Sequence, residues 1–485
     1  MVHSLQSKLV SLPQDVSNFL AINNLRAILS LDPNAGRCMN RLPPELIREI
    51  FLLCQPGEPY YSSKTWTGQV LSPLVLSHVC RRWRAIALSY ATLWSTVWVY
   101  QPSQEHIPMV KTWLERSGQQ PLTIHITQTE ITDWRQPRYT DEIMWLLIPQ
   151  LHRWGRLNLY LLSPLQHSLH TLFWAPRKAP LLTHVYVSAQ NWVQGLKPTL
   201  ERGFLSFPSI RSVVLPPSVN LSFVPFAQLT VIDASLGGCF TPDVLLDTLR
   251  RCGQLRSLAL QLGADRSGGT FVPHHTSLPY LSDLKMTVTA VNLTELFDCL
   301  TLPCLDKLMV HYNDAPHVAD DARALDRLLI RSKAFLKRLD LADPQHPGIE
   351  WHLSWLQMRS MQRLEELYMH IALDDAFVAA LTLRPDLPSS LFPGLRTLYL
   401  HDAEAGQHLN DLELYRMVVS RIVPLTIVAL LVRIAGHHAA PALPFLIERC
   451  KNHISLALTL LPCGDPTAKT GRYLPPPMAG GYRVE

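Results

Sequence analysis

Leu336-Lys-Arg-Leu339-Asp-Leu341, Leu364-Glu-Glu-Leu367-Tyr-Met369 and Leu395-Arg-Thr-Leu398-Tyr-Leu400 are three copies of one pattern. An apolar residue is followed by two variable ones, a second apolar residue, one more variable residue and a third apolar residue. The last two apolar residues alternate with variable positions, so they mark a short strand with one buried face. The first apolar residue packs the turn that leads into that strand. Seven further copies precede these, starting at Trp154, Leu182, Ile210, Leu229, Leu255, Leu281 and Leu305. Start-to-start distances run from 19 residues (Ile210 to Leu229) to 31 (Leu364 to Leu395).

No single copy buries its apolar side alone. Stacking the copies builds a continuous core with a parallel sheet on one face. The segments between strands carry helical periodicity at 244–251, 322–332, 374–383 and 411–421. Pro208, Pro279, Pro303 and Pro393 stand just ahead of strands, where they separate helix from strand. The expected fold class is therefore α/β: an irregular leucine-rich-repeat-like strand–helix solenoid over residues 151–462. The Asn that normally follows such strands is missing. Gly263, Pro344 and Ala403 hold its place after Leu260, Leu341 and Leu400, so irregular turns are expected. Variable strand positions such as Tyr368 and Tyr399 are the expected exposed substrate-binding residues.

Upstream, residues 41–53 read R-L-P-P-E-L-I-R-E-I-F-L-L. Pro43 and Pro44 suit a first helical turn, where a missing N–H is not needed. Glu45 sits at the positive end of the helix dipole. Leu46, Ile50 and Leu53 form an apolar stripe that Ile47 and Phe51 widen. A second helical pattern, Leu74 to Tyr90, aligns Val75, Val79, Trp83 and Ile86. Leu93 and Trp94 close the module after a short turn.

The order Leu-Pro, Ile-Phe, Val-Cys-Arg-x-Trp, Leu-Trp resembles the F-box, most of all that of the fungal F-box-like proteins. So do the Leu-Pro and Phe-Pro dipeptides before the strands and Leu329-Ile-Arg-Ser332 ahead of Leu336. The resemblance spans about residues 41–435. It implies a three-helix module that docks on a Skp-type adaptor, and through it on a cullin, with a protein target held by the solenoid. It also implies that Leu42, Pro43, Leu46 and Ile50 contact the adaptor, with Val79, Trp83, Leu93 and Trp94 as further contacts. Some of these must instead fill the module's own core. The expected organisation is a helical extension at 1–38, the F-box at 39–99, a linker and solenoid cap at 100–150, the solenoid at 151–462 and a flexible tail at 463–485. The insert at 54–73 is longer than the common pattern has. An F-box scaffold not coupled to degradation, or a plain repeat receptor, are the alternatives.

Composition sets the outer bounds. A chain of 485 residues suggests two to four domains of about 150 residues. Net charge is only +5 and Lys and Arg form no tract, so nucleic acid is not an expected partner. The sequence begins without a secretory signal pattern and holds no run of eighteen apolar residues, so neither membrane nor secretion is expected. Nine scattered cysteines then read as reduced thiols, and the expected location is cytoplasmic, nuclear or both.

Reactive constellations are sparse. No phosphate-binding loop, nucleophile elbow or His-Glu-x-x-His is present, and no C-x-x-C. No cofactor and no enzymatic activity are expected. Cys299 and Cys304 are expected to pack beneath the strand at Leu305. His274-His275 and His437-His438 are read as loop residues. Asp340 with Asp343, and Asp374 with Asp375, are read as caps of helices or turns. Trp351 and Trp355 are read as core.

Overall fold

The computed structural model describes residues 42–53, 73–128, 135–161, 179–189, 207–214, 224–235, 239–263, 274–313, 320–343, 349–371, 373–383, 391–402, 429–435 and 455–461, with positions 413, 416, 417, 420 and 421. The expected extension at 1–38, the insert up to residue 72 and the tail at 463–485 lie outside these residues. The chain divides into two compact units, Met1–Arg211 with Ser222–Val224, and Ser212–Leu221 with Pro225–Glu485.

The first unit opens with α1 (Pro44–Leu53), α2 (Pro73–Val79), α3 (Arg81–Ser89) and a 3-10 turn at Ala91–Trp94. The second sequence pattern is thus two helices. Cys80 breaks it with extended backbone, and its Sγ accepts from the Trp83 N–H at 3.4 Å, capping α3. Then come β1 (Thr96–Tyr100), α4 (His106–Arg116), β2 (Leu122–Thr127), α5 (Gln136–Leu147), β3 (Trp154–Leu161) and β4 (His184–Ala189). All four strands pair in parallel and in chain order. Val97, Ile124, Leu157 and Val185 share one register position, and all four are buried. The stretch expected to be linker and cap therefore supplies β2, in register with its neighbours. Trp94 and Trp154 play one part twice: each indole donates to a carbonyl seven residues back, Ala87 at 2.8 Å and Leu147 at 3.1 Å. Each tryptophan so ties the end of a helix to the strand that follows.

The second unit begins with β5 (Ser212–Val214), β6 (Val231–Ala234), α6 (Pro242–Arg250), β7 (Ser257–Gly263), β8 (Thr276–Ser277) and β9 (Asp283–Thr289). It continues with α7 (Leu293–Cys299), β10 (Leu300–Thr301), β11 (Lys307–Tyr312), α8 (Asp321–Ser332) and β12 (Arg338–Asp343). Then follow α9 (Ile349–Leu356), β13 (Glu366–Ile371), α10 (Asp375–Leu381), β14 (Thr397–Asp402), β15 (Ala429–Ala435) and β16 (Ser455–Leu461). In this unit, apart from the small β8–β10 pair, the strands lie side by side in chain order and are all parallel. The protein is thus mixed α/β, with a large parallel sheet and ten α-helices among the described residues.

The repeated apolar residues align across this sheet. Leu258, Leu284, Leu308, Leu339, Leu367 and Leu398 form one row, and Leu260, Met286, Val310, Leu341, Met369 and Leu400 another. Every one of the twelve is buried. Removing each such side chain from water stabilises the fold by roughly 2 kcal/mol. The residue after each leading leucine carries a second ladder, built of backbone. Lys337 N–H donates to the Asp306 carbonyl, Glu365 to Lys337 and Arg396 to Glu365, each at 2.8 Å.

Side chains satisfy backbone groups between the strands. Ser332 Oγ accepts from the Leu302 N–H at 2.8 Å, while Arg331 donates to the carbonyls of Phe297 and Leu300. Ser420 Oγ accepts from the Leu383 N–H at 2.9 Å. Arg421, fully buried, donates to the carbonyls of Leu381, Leu391 and Phe392 at 2.7, 2.8 and 3.1 Å. Buried backbone groups between units need such partners.

Several local expectations change. Asp340 and Asp343 lie within β12, not at a helix start, and are each 1% exposed. Asp374 does cap a helix, accepting from the Phe377 N–H at 2.7 Å. Cys299 is buried as expected but Cys304 is exposed, because it stands in the turn before Leu305. Trp351 and Trp355 are buried, both edge-on to the Tyr312 ring.

Candidate functional surfaces

The three leading helices sort their apolar residues cleanly. On α1, Ile47 and Phe51 are fully buried, and Phe51 meets Trp83 of α3 edge to face with centroids 4.9 Å apart. Trp94 packs edge-on against Trp113 at 4.8 Å, with the Arg116 guanidinium 4.3 Å above its ring. Leu93 is fully buried beside it in sequence. Aromatic pairs of this kind add about 1 kcal/mol beyond their buried area.

Of the eight expected adaptor contacts, Trp83, Leu93 and Trp94 are buried in the unit's own core. The other five remain accessible. Leu46 is 51% exposed and Pro43 exposed, with Leu42, Ile50 and Val79 half-buried. Of the expected stripe, Leu46 and Ile50 stay accessible, and Ile47 and Phe51 are the residues that pack inward. Two exposed leucines escaped the sequence reading, Leu74 on α2 and Leu88 on α3. Their signal was present in the helical period: both fall off the stripe of Val75, Trp83 and Ile86.

In the second unit the variable strand positions align as strictly as the leucines. Lys307, Arg338, Glu366 and Thr397 share one register position, and Met309, Asp340, Tyr368 and Tyr399 the next. Arg338 is the hub of this face. Its guanidinium lies 4.2 Å from the centre of the Tyr368 ring, 3.4 Å from Glu366 and 3.7 Å from Asp340. His311 Nε2 approaches Asp340 at 3.5 Å from the other side. Tyr368 donates to Glu366 Oε2 at 3.3 Å. Burial pushes its phenol up to about 12, with Arg338 opposing and Glu366 and Asp340 reinforcing.

Tyr368 and Tyr399 do lie together, ring centroids 5.9 Å apart. Their exposure differs from the expectation. Tyr368 is half-buried and Tyr399 only 5% exposed, because neighbouring strands stand so close that a large side chain is walled in by those on either side. The accessible charged groups of these two rows are Lys307, Arg338 and Glu366, beside the half-buried Tyr368. The sequence carried that signal in its register, since each of the three charged groups stands two residues after a leading leucine.

The remaining polar groups serve the fold. Asp321 accepts from Tyr312 at 3.0 Å and from the Leu293 N–H at 3.0 Å, tying the start of α7 to α8. His352 and Asp343 lie 3.7 Å apart, each 1% exposed. Asn292 caps α7 by accepting from the Thr294 N–H at 2.8 Å. Burial pushes the Cys252 thiol up to about 12, away from thiolate chemistry. His274 and His275 are exposed and precede β8 as loop residues; His437 and His438 lie outside the described residues. Among the described residues no group of three or more His, Cys, Asp or Glu is placed to hold a metal ion, and no helix is long and apolar enough to cross a membrane.

No protein-family model and no curated protein sequence matches the chain.

Proposed function

We propose that this protein is the substrate-recognition subunit of a cullin-type ubiquitin ligase. Residues 39–99 act as an F-box that binds a Skp-type adaptor. The parallel strands and their helices act as a leucine-rich-repeat-like solenoid that holds the target protein. The observation that carries this reading is the division of α1. Ile47 and Phe51 close the core while Leu46, with Pro43 and Ile50 nearby, keeps an apolar face outward on a helix of ten residues. Exposed apolar side chains grouped on one short element mark a protein contact more often than a solvated face.

The chain's contribution is proximity. One unit tethers it to the ligase and the other holds the target, so a separate conjugating enzyme meets the target's lysines at high effective concentration. The strand face around Arg338, Glu366 and Tyr368 is the proposed target-binding surface. It offers both charge signs and an aromatic ring, the composition of a selective protein contact.

Affinity purification of the full chain tests this. The wild type is expected to bring down a Skp-type adaptor and a cullin. The Leu46→Asp, Ile50→Asp variant is expected to lose both while keeping its targets, which then accumulate on it. Recovery of neither adaptor nor cullin with the wild type would contradict the proposal.

A further inference from the structure

Arg82 connects two places far apart in sequence. Its guanidinium Nη2 donates to the Leu42 carbonyl at 2.5 Å, across forty residues. Leu42 stands just ahead of α1, where the chain has no helical hydrogen bond of its own for that carbonyl. The next carbonyl, that of Pro43, already accepts from the Ile47 N–H at 3.2 Å and so belongs to the helix. Pro44 follows and has no N–H to anchor the approach. Arg82 itself is the second residue of α3, one position from Trp83, whose ring is fixed against Phe51. Its base is thus set by the core.

From these contacts we infer that Arg82 is a positioning residue for adaptor docking, an inference that rests on the proposed function. It holds Leu42 and Pro43 at the start of α1 so that they stand in one surface with Leu46. A cation donating to a neutral carbonyl gives a short, directional bond, and here it is made at the entry to α1. Arg82 is half-buried, so the bond is partly shielded from water. Without it, residues 42 and 43 lose their register on the adaptor while Ile47, Phe51 and Trp83 still close the core. Affinity then falls through the cost of ordering that segment on binding.

The test uses the full chain as wild type, Arg82→Met, Arg82→Lys and Leu46→Asp, with a purified Skp-type adaptor. Three quantities are measured: adaptor affinity, thermal midpoint and amide hydrogen exchange of the segment 42–50. Arg82→Met is expected to weaken adaptor binding about tenfold. It should speed exchange at the start of α1 and leave the thermal midpoint unchanged. Arg82→Lys, which still offers a cationic donor, should recover part of both effects. An Arg82→Met protein with wild-type exchange at the start of α1 would overturn the inference, as would one with faster exchange but wild-type affinity. Wild-type adaptor binding by Leu46→Asp would instead sink the F-box reading, and the exchange measurement would still decide whether Arg82 orders the segment.

Discussion

The imidazole of His125 lies flat against the indole of Trp98, ring centroids 3.9 Å apart and planes within 12°. Asn158 Nδ2 reaches its Nδ1 at 2.9 Å from the next strand, which leaves the ring proton on Nε2. Trp98, His125 and Asn158 are one register row across β1, β2 and β3.

This row makes stability depend on pH. Burial lowers the His125 imidazole from its ordinary value of 6.5 to about 4. The folded value lies below the unfolded one, so as pH falls the unfolded chain takes up the proton first. Stability from this site is complete above pH 6.5, is lost progressively as pH drops below it, and stops falling below about pH 4. The full loss is about 3 kcal/mol. His125→Gln has no proton to gain, so its denaturation midpoint should change less over that interval than the wild type's. Parallel curves for the two proteins would contradict the assignment.

Gly263 ends β7 against Cys239, and a Cβ placed on it would lie 2.5 Å from the Cys239 Cβ. The backbones meet there through the Phe240–Leu262 bridge, and the Gly263 N–H donates to the Phe240 carbonyl at 3.0 Å. Gly263→Ala should destabilise the protein by about 2 kcal/mol, the scale of overpacking. Cys239→Gly in the same chain should restore most of that loss by emptying the space. Equal stability of Gly263→Ala and wild type in urea would show that the contact yields freely.

Much of the fold was legible in the sequence because its repeat places an apolar residue, most often leucine, at the entry to most strands. All ten copies of the template coincide with strands. The same template also runs Trp94, Val97, Val99 into β1, but there Trp94 was read only as the close of the helical module. Its two parts are compatible, since the indole faces Trp113 while the chain turns into the strand. β16 escaped because His453 stands where a leading apolar residue belongs. For β15, residues 422–432 are apolar almost throughout, so no alternation separates strand from helix. The helical surface was half legible. Periodicity found the stripe on α1 but not its inward edge, which is set by where α3 lands, a tertiary fact. The Arg338 hub was not read at all, since it needs strands aligned across 28 residues.

Arg421 donates to three backbone carbonyls from a fully buried position, and burial brings its guanidinium down to about 10, still charged at neutral pH. Arg421→Met strands those carbonyls and should cost about 3 kcal/mol. Arg421→Lys should regain less than half, because one ammonium lacks the planar fork that spans them. Chemical denaturation of the three proteins checks this. Near-complete rescue by Lys would show that the charge, not the geometry, matters.

Phe51 and Leu46 sit on opposite sides of α1, so their truncations should separate. Phe51→Ala should lower stability by about 4 kcal/mol, the cost of an aromatic removed from a core. Leu46→Ala should change it by less than about 0.5 kcal/mol, as for surface sites generally. A large loss from Leu46→Ala would mean that the exposed stripe is structural.

The most direct measurement is the affinity of the purified full chain for a purified Skp-type adaptor, taken with wild type and with Leu46→Asp, Ile50→Asp. A saturable complex with wild type, lost in the variant at unchanged thermal midpoint, is the result the account predicts. No complex with wild type, or an equally tight one with the variant, would contradict it.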